Sequence, residues 1–233
     1  MASCPGQHAS RSTKEIMRTE TKPARNKLKA SLAGLAMMML ALTGVSDAYA
    51  QARGFRVVSG CRMQFVSDAP LERTTGVSTT MSGEIQIDPA NLAASRGRIE
   101  VPIASIRTGS DLRDEHLRGP NWLDAARNPN AIFEITGVEG ATALVAGQVT
   151  RVTLVGTFSV HGVSHAMRAP AQVRWMPASP ELVAQGIRGD LIRAQASFTV
   201  NLPDHNVSVN PLVRLKISDQ IRVNVTLRAT SGG

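Results

Sequence analysis

Apolar and polar residues alternate with period two through much of the second half of the chain. Val152, Leu154, Gly156, Phe158 and Val160 fall on one face, and Arg151, Thr153, Val155, Thr157 and Ser159 on the other. Ala194, Ala196, Phe198, Val200 and Leu202 repeat the pattern, as do Ile221, Val223, Val225 and Leu227. Strict alternation places one face of an extended strand against a core and the other in water. Weaker alternation runs through Cys61 to Phe65, Met81 to Ile87, Ile99 to Ile103, Phe133 to Gly137 and Met167 to Trp175. Turn signals separate these runs: Asp88-Pro89, His161-Gly162, Pro177 to Pro180, and Asn201 to Pro211. The pattern predicts about eight strands joined mostly by short turns. One buried and one wetted face per strand means an antiparallel sheet. A sheet of this size closes into a barrel or splits into a sandwich.

The small residues on the apolar face decide what a barrel would contain. Gly83, Gly156, Ala169, Ala171, Ala194 and Ala196 lie in phase with the large apolar side chains. Aromatics make up only 3% of the chain, and Phe55, Phe65, Phe133, Phe158 and Phe198 all fall on apolar faces. An eight-stranded barrel is either filled by side chains or wide enough for one ligand. The small residues favour an apolar cavity. The other reading is that they mark barrel corners or close packing of backbone.

One long connection interrupts the strands, Ser105 to Phe133. Its length calls for structure or function of its own. Asp111 is placed to cap a short helix, with Asp114 and Glu115 in the first turn and Leu112 and Leu117 as apolar contacts. Gly119-Pro120 ends it, and Asn121 is placed to cap a second short helix, Trp122 to Ala126. The segment is thus read as two short helices over one end of the barrel, with Trp122 and Leu123 turned inward as a lid. Arg113, Asp114 and His116 have the residue types of an acid–base set, but no nucleophile or phosphate loop accompanies them. The reading favoured here is a salt-bridged helix start that ties the lid to the rim. His116, His161 and His165 could make a three-histidine zinc site, without a helical HExxH or cysteine partner to support it. Asn206-Val207-Ser208 matches a glycosylation sequon, read as accidental beside a bacterial-looking leader.

Composition changes this picture mainly at the N-terminus. A basic run, Lys14 to Lys29, precedes the apolar Ala30 to Val45, and Ala48-Tyr49-Ala50 fits a small-x-small cleavage site. Residues 1–50 are read as a secretory signal cleaved after Ala50, with Met17 as an alternative start to Met1. The apolar run is short for a membrane span. Residues 51–233 then form one domain, expected in the periplasm. Seven of the 26 basic and three of the 18 acidic residues lie in the leader, which leaves an excess of about four positive charges. That scattered excess argues against nucleic-acid binding. Lys216 is the sole lysine after the leader and is read as coding bias. Cys61 is the sole remaining cysteine and is read as a buried small hydrophobe.

Specific runs also carry a resemblance. Gly83-Glu84-Ile85-Gln86-Ile87-Asp88, Ser105-Ile106-Arg107-Thr108-Gly109, Arg113-Asp114-Glu115-His116-Leu117, Trp122-Leu123-Asp124, Pro129-Asn130-Ala131-Ile132-Phe133 and Gly156 to Val163 resemble, in this order and spacing, the YceI-like family of lipocalin-like polyisoprenoid-binding proteins. The resemblance spans about residues 55–229. It implies an all-β, eight-stranded antiparallel lipocalin-like barrel whose apolar tunnel takes a polyprenyl chain, with no catalytic residues and no cofactor. A His-Ser pair is frequent in the family's first strand; Gly60-Cys61 stands at that place here.

The expected function is binding, transport or storage of an isoprenoid lipid, a polyprenyl phosphate or a quinone-like tail. The alternative is a periplasmic stress-response or interaction protein with a filled barrel. The expected cavity wall is Phe65, Phe133, Leu154, Phe158, Trp175 and Phe198 beneath Trp122 and Leu123, with Arg113 and His116 at the mouth. A transient membrane contact and a homodimer are left open.

Overall fold

The computed structural model describes residues 52–232. The signal segment expected over residues 1–50 lies outside them. Ten strands follow one another as β1 (Arg53–Val57), β2 (Arg62–Asp68), β3 (Arg73–Ser78), β4 (Ser82–Ile87), β5 (Arg96–Pro102), β6 (Asn130–Glu139), β7 (Val149–Val160), β8 (Val163–Met176), β9 (Leu191–Asn201) and β10 (Gln220–Thr230). All pairings are antiparallel. The ring runs β1, β4, β5, β6, β7, β8, β9, β10 and back to β1. β1 and β2 both pair with β10, and β3 and β4 pair with β2 and β1 in nearly the same register. They are therefore two long strands, each broken once, and the barrel has eight strand positions, as the alternation predicts.

The break between β1 and β2 is where Cys61 sits. Its thiol lies 3.1 Å from the Val58 carbonyl and accepts the Arg228 amide at 3.2 Å, which ties the irregular turn to β10. Cys61 is buried, and burial pushes its thiol pKa up, as befits an unreactive core residue.

The β7–β8 turn has positive φ at both His161 and Gly162, the backbone that a two-residue hairpin needs to match strand twist. Gly83 and Gly156 prove to be close-packing positions and not cavity space. A Cβ on Gly156 would stand 2.0 Å from the Glu134 carbonyl oxygen, and one on Gly83 2.2 Å from that of Arg98. Gly156 faces the bulge between Ile135 and Gly137 of β6, where the neighbouring backbone crowds inward. Of the alanines, Ala169, Ala194 and Ala196 do line the interior space, while Ala171 is buried in the floor cluster.

The core has a floor and an upper layer. At the floor Phe55, Ile192 and Ala229 are almost wholly buried, with Leu92 and Leu144 from the β4–β5 and β6–β7 loops beside them. Those loops bond to each other through Leu92 N to Thr142 O and Leu144 N to Pro89 O. Nearer the mouth Met63, Val101, Phe158, Val200 and Val223 pack with Ile103 and Ile106 of the long connection.

The connection holds one helix, α1 (Asp111–Arg118), and its N-cap is Ser110, whose hydroxyl faces the Arg113 amide. The second helix expected over Trp122 to Ala126 does not form. Those residues make successive turns, with Asp124 at positive φ and its carboxylate taking the Arg127 guanidinium at 2.5 Å. Pro120 and Pro129 bracket too short a run for helix nucleation. A second long connection, residues 202–219, also covers this end, where the sequence indicates only a turn.

Candidate functional site

An apolar cavity of about 520 Å³ runs from the floor of the barrel to the end covered by the two long connections. That volume lies within the range of small-molecule sites, roughly 300–1,000 Å³. β7, β9 and β10 supply much of the wall because their alternation points every second side chain inward. Leu154, Ala194, Ala196, Val223 and Val225 all line it.

Seven of the eight side chains expected along the wall and lid do line the cavity: Phe65, Trp122, Leu123, Phe133, Leu154, Phe158 and Phe198. Phe133 stacks near Phe198 with ring centroids 6.0 Å apart, and Phe158 meets Phe198 edge-on at 5.5 Å. Phe133 and Phe158 stand on the neighbouring strands β6 and β7 and Phe198 on β9 beyond β8, so these rings meet across the upper part of the interior while each still lines the cavity. Phe65 lies over Gly76, its partner on β3; a Cβ there would stand 2.1 Å from the phenyl ring. Glycine on β3 thus makes the room that the ring of β2 occupies.

Trp175 is the exception. It packs against the floor cluster, and its indole Nε1 donates to Asp190 at 3.1 Å. Strand phase alone places Trp175 inward. The Asp190 carboxylate at the start of β9 captures the indole at the strand's end, because a buried N–H requires a partner. Asp190 also accepts the Ala178 amide at 2.9 Å and pairs with Arg53. Burial alone would raise its pKa, but the bonds from Ala178, Trp175 and Arg53 outweigh that and hold it below the ordinary aspartate value.

At the mouth the polar lining is concentrated in Glu72, Thr74, Thr108, Ser110, Arg113, His116 and Lys216. Arg113 donates to Glu72 at 2.9 Å and to Thr74 at 3.3 Å, so it joins α1 to the β2–β3 hairpin. Asp114 is not paired with Arg113. It is buried beneath the helix and accepts both the amide and the hydroxyl of Thr108, at 2.8 and 2.7 Å. Burial acts to raise its pKa, but those two bonds, with Arg107 and Arg118 nearby, leave it lowered. The Arg113–Asp114 dipeptide therefore anchors the lid twice, once outward to the rim and once inward to its own first loop.

β3 separates from β5 at this end, and residues 103–108 bridge the gap. Arg107 and Val77 exchange both backbone hydrogen bonds, at 2.8 and 2.9 Å, and the Ser78 and Ser105 hydroxyls meet at 2.7 Å.

His116 faces the cavity, while His161 and His165 stand around His205 instead. His205 sits in a Pro- and Asn-rich loop where nothing in the sequence marks it out, yet it is almost wholly buried. Its Nδ1 lies 3.0 Å from the Val163 carbonyl, and its own carbonyl lies 3.0 Å from His161 Nδ1. A ring nitrogen facing a carbonyl carries the proton, so His205 locks residues 202–205 to the β7–β8 turn. Burial lowers its pKa and keeps it neutral. His161 and His205 each meet a backbone carbonyl and His165 packs edge-on against His205, and among the described residues no group of three or more His, Cys, Asp or Glu is placed to hold a metal. Lys216, set aside in the sequence as coding bias, lines the mouth. A single lysine has no periodicity to reveal it.

Comparison with known proteins adds to this geometry. The sequence model of the family described as "YceI-like domain" matches residues 58–229. A UPF0312 protein of Azotobacter vinelandii is 32% identical over 89 residues, covering 38% of this chain and 43% of the relative. A UPF0312 protein of Vibrio cholerae is 38% identical over 56 residues, covering 24% and 30%. The chain thus aligns with less than half the length of these relatives. Among solved structures, Burkholderia cenocepacia BcnA superposes with a TM-score of 0.59 at 18% identity, covering 73% of this chain and 96% of that one. A polyisoprenoid binding domain from Saccharophagus degradans gives 0.58 at 17% identity, covering 77% and 99%. Both share the fold.

Proposed function

The chain belongs to the YceI-like family, and from that premise we propose that it binds an isoprenoid lipid inside its barrel and carries or stores it in the periplasm. The observation that carries this reading is the distribution of polarity along the cavity. Apart from the Ser95 hydroxyl the wall below the mouth is apolar, and Glu72, Arg113, His116 and Lys216 come only where the cavity opens. A long apolar chain gains about 0.8 kcal/mol per buried CH₂, so it needs no dense polar site. A phosphate or other oxygen-rich head would meet donors at the rim. The filled-barrel alternative would leave no such space. The described polyisoprenoid-binding relative in fold supports the ligand class. Residues 1–50 are proposed to supply the export signal.

Native mass spectrometry of the protein purified from its own envelope tests this. The expected result is a non-covalent adduct with the mass of a prenyl lipid, released by organic solvent. Without such an adduct, and without uptake of a prenyl phosphate analogue by the delipidated protein, the reading fails. Affinity for a series of prenyl alcohols should rise with each isoprene unit until the cavity is filled, and then level off.

A further inference from the structure

The rim of the barrel carries an apolar collar that extends outward from the mouth of the cavity. Leu71, Leu112, Leu212 and Leu215 are 69%, 63%, 90% and 57% exposed. They come from three separate segments: the β2–β3 turn, α1 and the 202–219 connection. Scattered exposed leucines need no explanation, but these share one end of the molecule. The Leu71 amide donates to the Leu215 carbonyl at 2.8 Å, so those two segments touch. Leu112 and Lys216 themselves line the mouth, which makes the collar continuous with the opening. At the collar's most exposed point the chain reads Pro211-Leu212-Val213-Arg214-Leu215-Lys216. The Asn210 carboxamide oxygen accepts the Leu212 amide at 2.9 Å and fixes this tip in a tight turn. Leucine thus projects between two cations on a braced loop. Of the acids nearby, Glu72 takes Arg113 at 2.9 Å and Asp219 forms a loose ion pair with Arg214 at 3.8 Å, while Asp68 and Asp111 are exposed beside the collar.

We propose that this collar is a membrane-docking surface, and that the barrel sets its mouth on an anionic phospholipid bilayer with Leu71, Leu212 and Leu215 entering the headgroup layer and Arg214 and Lys216 meeting the lipid phosphates. Apolar side chains flanked by basic ones are the composition of interfacial binding. A bilayer fits better than a protein partner because the collar adjoins an opening into an apolar cavity, so the docked mouth faces a source of lipid directly. The inference rests on the carrier reading for its purpose but on the collar for its evidence.

The test is co-flotation of the protein, purified after expression of the full chain, with vesicles of phosphatidylethanolamine and phosphatidylglycerol. The unaltered protein should float with them. Leu71→Asp/Leu212→Asp should lower the bound fraction about tenfold or more. Arg214→Gln should lower it about fivefold, and only on the anionic vesicles. These side chains are exposed, so thermal melting should be unchanged, as should uptake of a short-chain prenyl phosphate from solution. The proposal is overturned if the unaltered protein stays at the bottom of the gradient, or if Leu71→Asp/Leu212→Asp floats equally well. It is also overturned if phosphatidylcholine vesicles bind as tightly as anionic ones. A protein that takes up prenyl phosphate but ignores vesicles refutes docking and leaves the carrier reading intact. One that floats but takes up no prenyl phosphate does the reverse.

Discussion

At the floor of the barrel, closure is achieved by burial; at the mouth, by ties across the surface. The floor is filled by Phe55, Ile192 and Ala229, and beside them the buried Asp190 carboxylate takes Trp175, the Ala178 amide and Arg53. The mouth is spanned by α1 and the 202–219 connection, and α1 is held to the rim by Arg113 to Glu72 with both partners more than a third exposed, while the buried Asp114 to Thr108 tie lies inside the lid itself. The difference separates stability from access. A buried carboxylate that satisfies several donors resists every movement of the elements around it. Exposed ion pairs cost little to break, so the lid can shift without disturbing the floor.

Substitutions at either end should separate these two properties. Asp190→Ala is expected to have the largest effect, a loss of about 3–4 kcal/mol in urea denaturation, because the indole N–H, the amide and Arg53 all lose their acceptor. The pH dependence follows from the same bonds. The folded pKa of Asp190 lies below the ordinary 3.8, so its contribution is present in full above that value. It disappears as pH falls through the lower, folded pKa. Asp190→Ala should therefore flatten the acid limb of the stability curve, and an unchanged acid limb would remove Asp190 from this account.

Ala196→Phe should come next, and it acts on access alone. A phenyl ring in the cavity displaces roughly one isoprene unit, so affinity for a prenyl analogue should fall about a hundredfold, or about 3 kcal/mol. Melting should barely change. Unaltered affinity would show that the ligand does not use this part of the wall.

Asp114→Ala, inside the lid, should cost about 2 kcal/mol by stranding the two Thr108 donors. It should speed amide exchange through residues 105–118 more than at the floor. Equal acceleration at both ends would contradict the separation. The smallest effect is expected from Ser95→Ala. The Ser95 hydroxyl is buried with no hydrogen-bond partner among the described residues, so its removal should raise stability by about 1 kcal/mol. A loss in thermal melting would mean that the hydroxyl has a partner in solution.

Strand phase made the upper wall of the cavity legible, since β7, β9 and β10 alternate without interruption and their inward sides are those the pattern names. It failed where a side chain's role depends on something outside its own strand. A glycine in phase reads the same whether it faces open space or a neighbouring carbonyl, and only the fold shows that Gly156 sits against Glu134. β1 and β3 escaped detection because Gly54 and Gly76 blunt the alternation; the Gly76 position is filled by Phe65 from across the sheet. Trp175 obeyed its phase up to the strand's end, where Asp190 supplied the stronger attraction. Of the mouth, Arg113 was readable from its helical setting. Lys216 and His205 lie in a segment with two 3₁₀ turns and no period, where sequence offers nothing to count.

The pairing of β1 and β2 with β10 also has a consequence for how the molecule is made. Every other contact between neighbouring strands links segments close in sequence and can form as the chain emerges. This one joins Arg56 to Thr230, so it closes the longest loop of the fold and raises its contact order the most. Until Gln220–Thr230 arrives, the sheet is an open ribbon with two unpaired edges. The last strand is therefore the step that turns an aggregation-prone intermediate into a vessel, and a chain cut before Gln220 should accumulate as that ribbon.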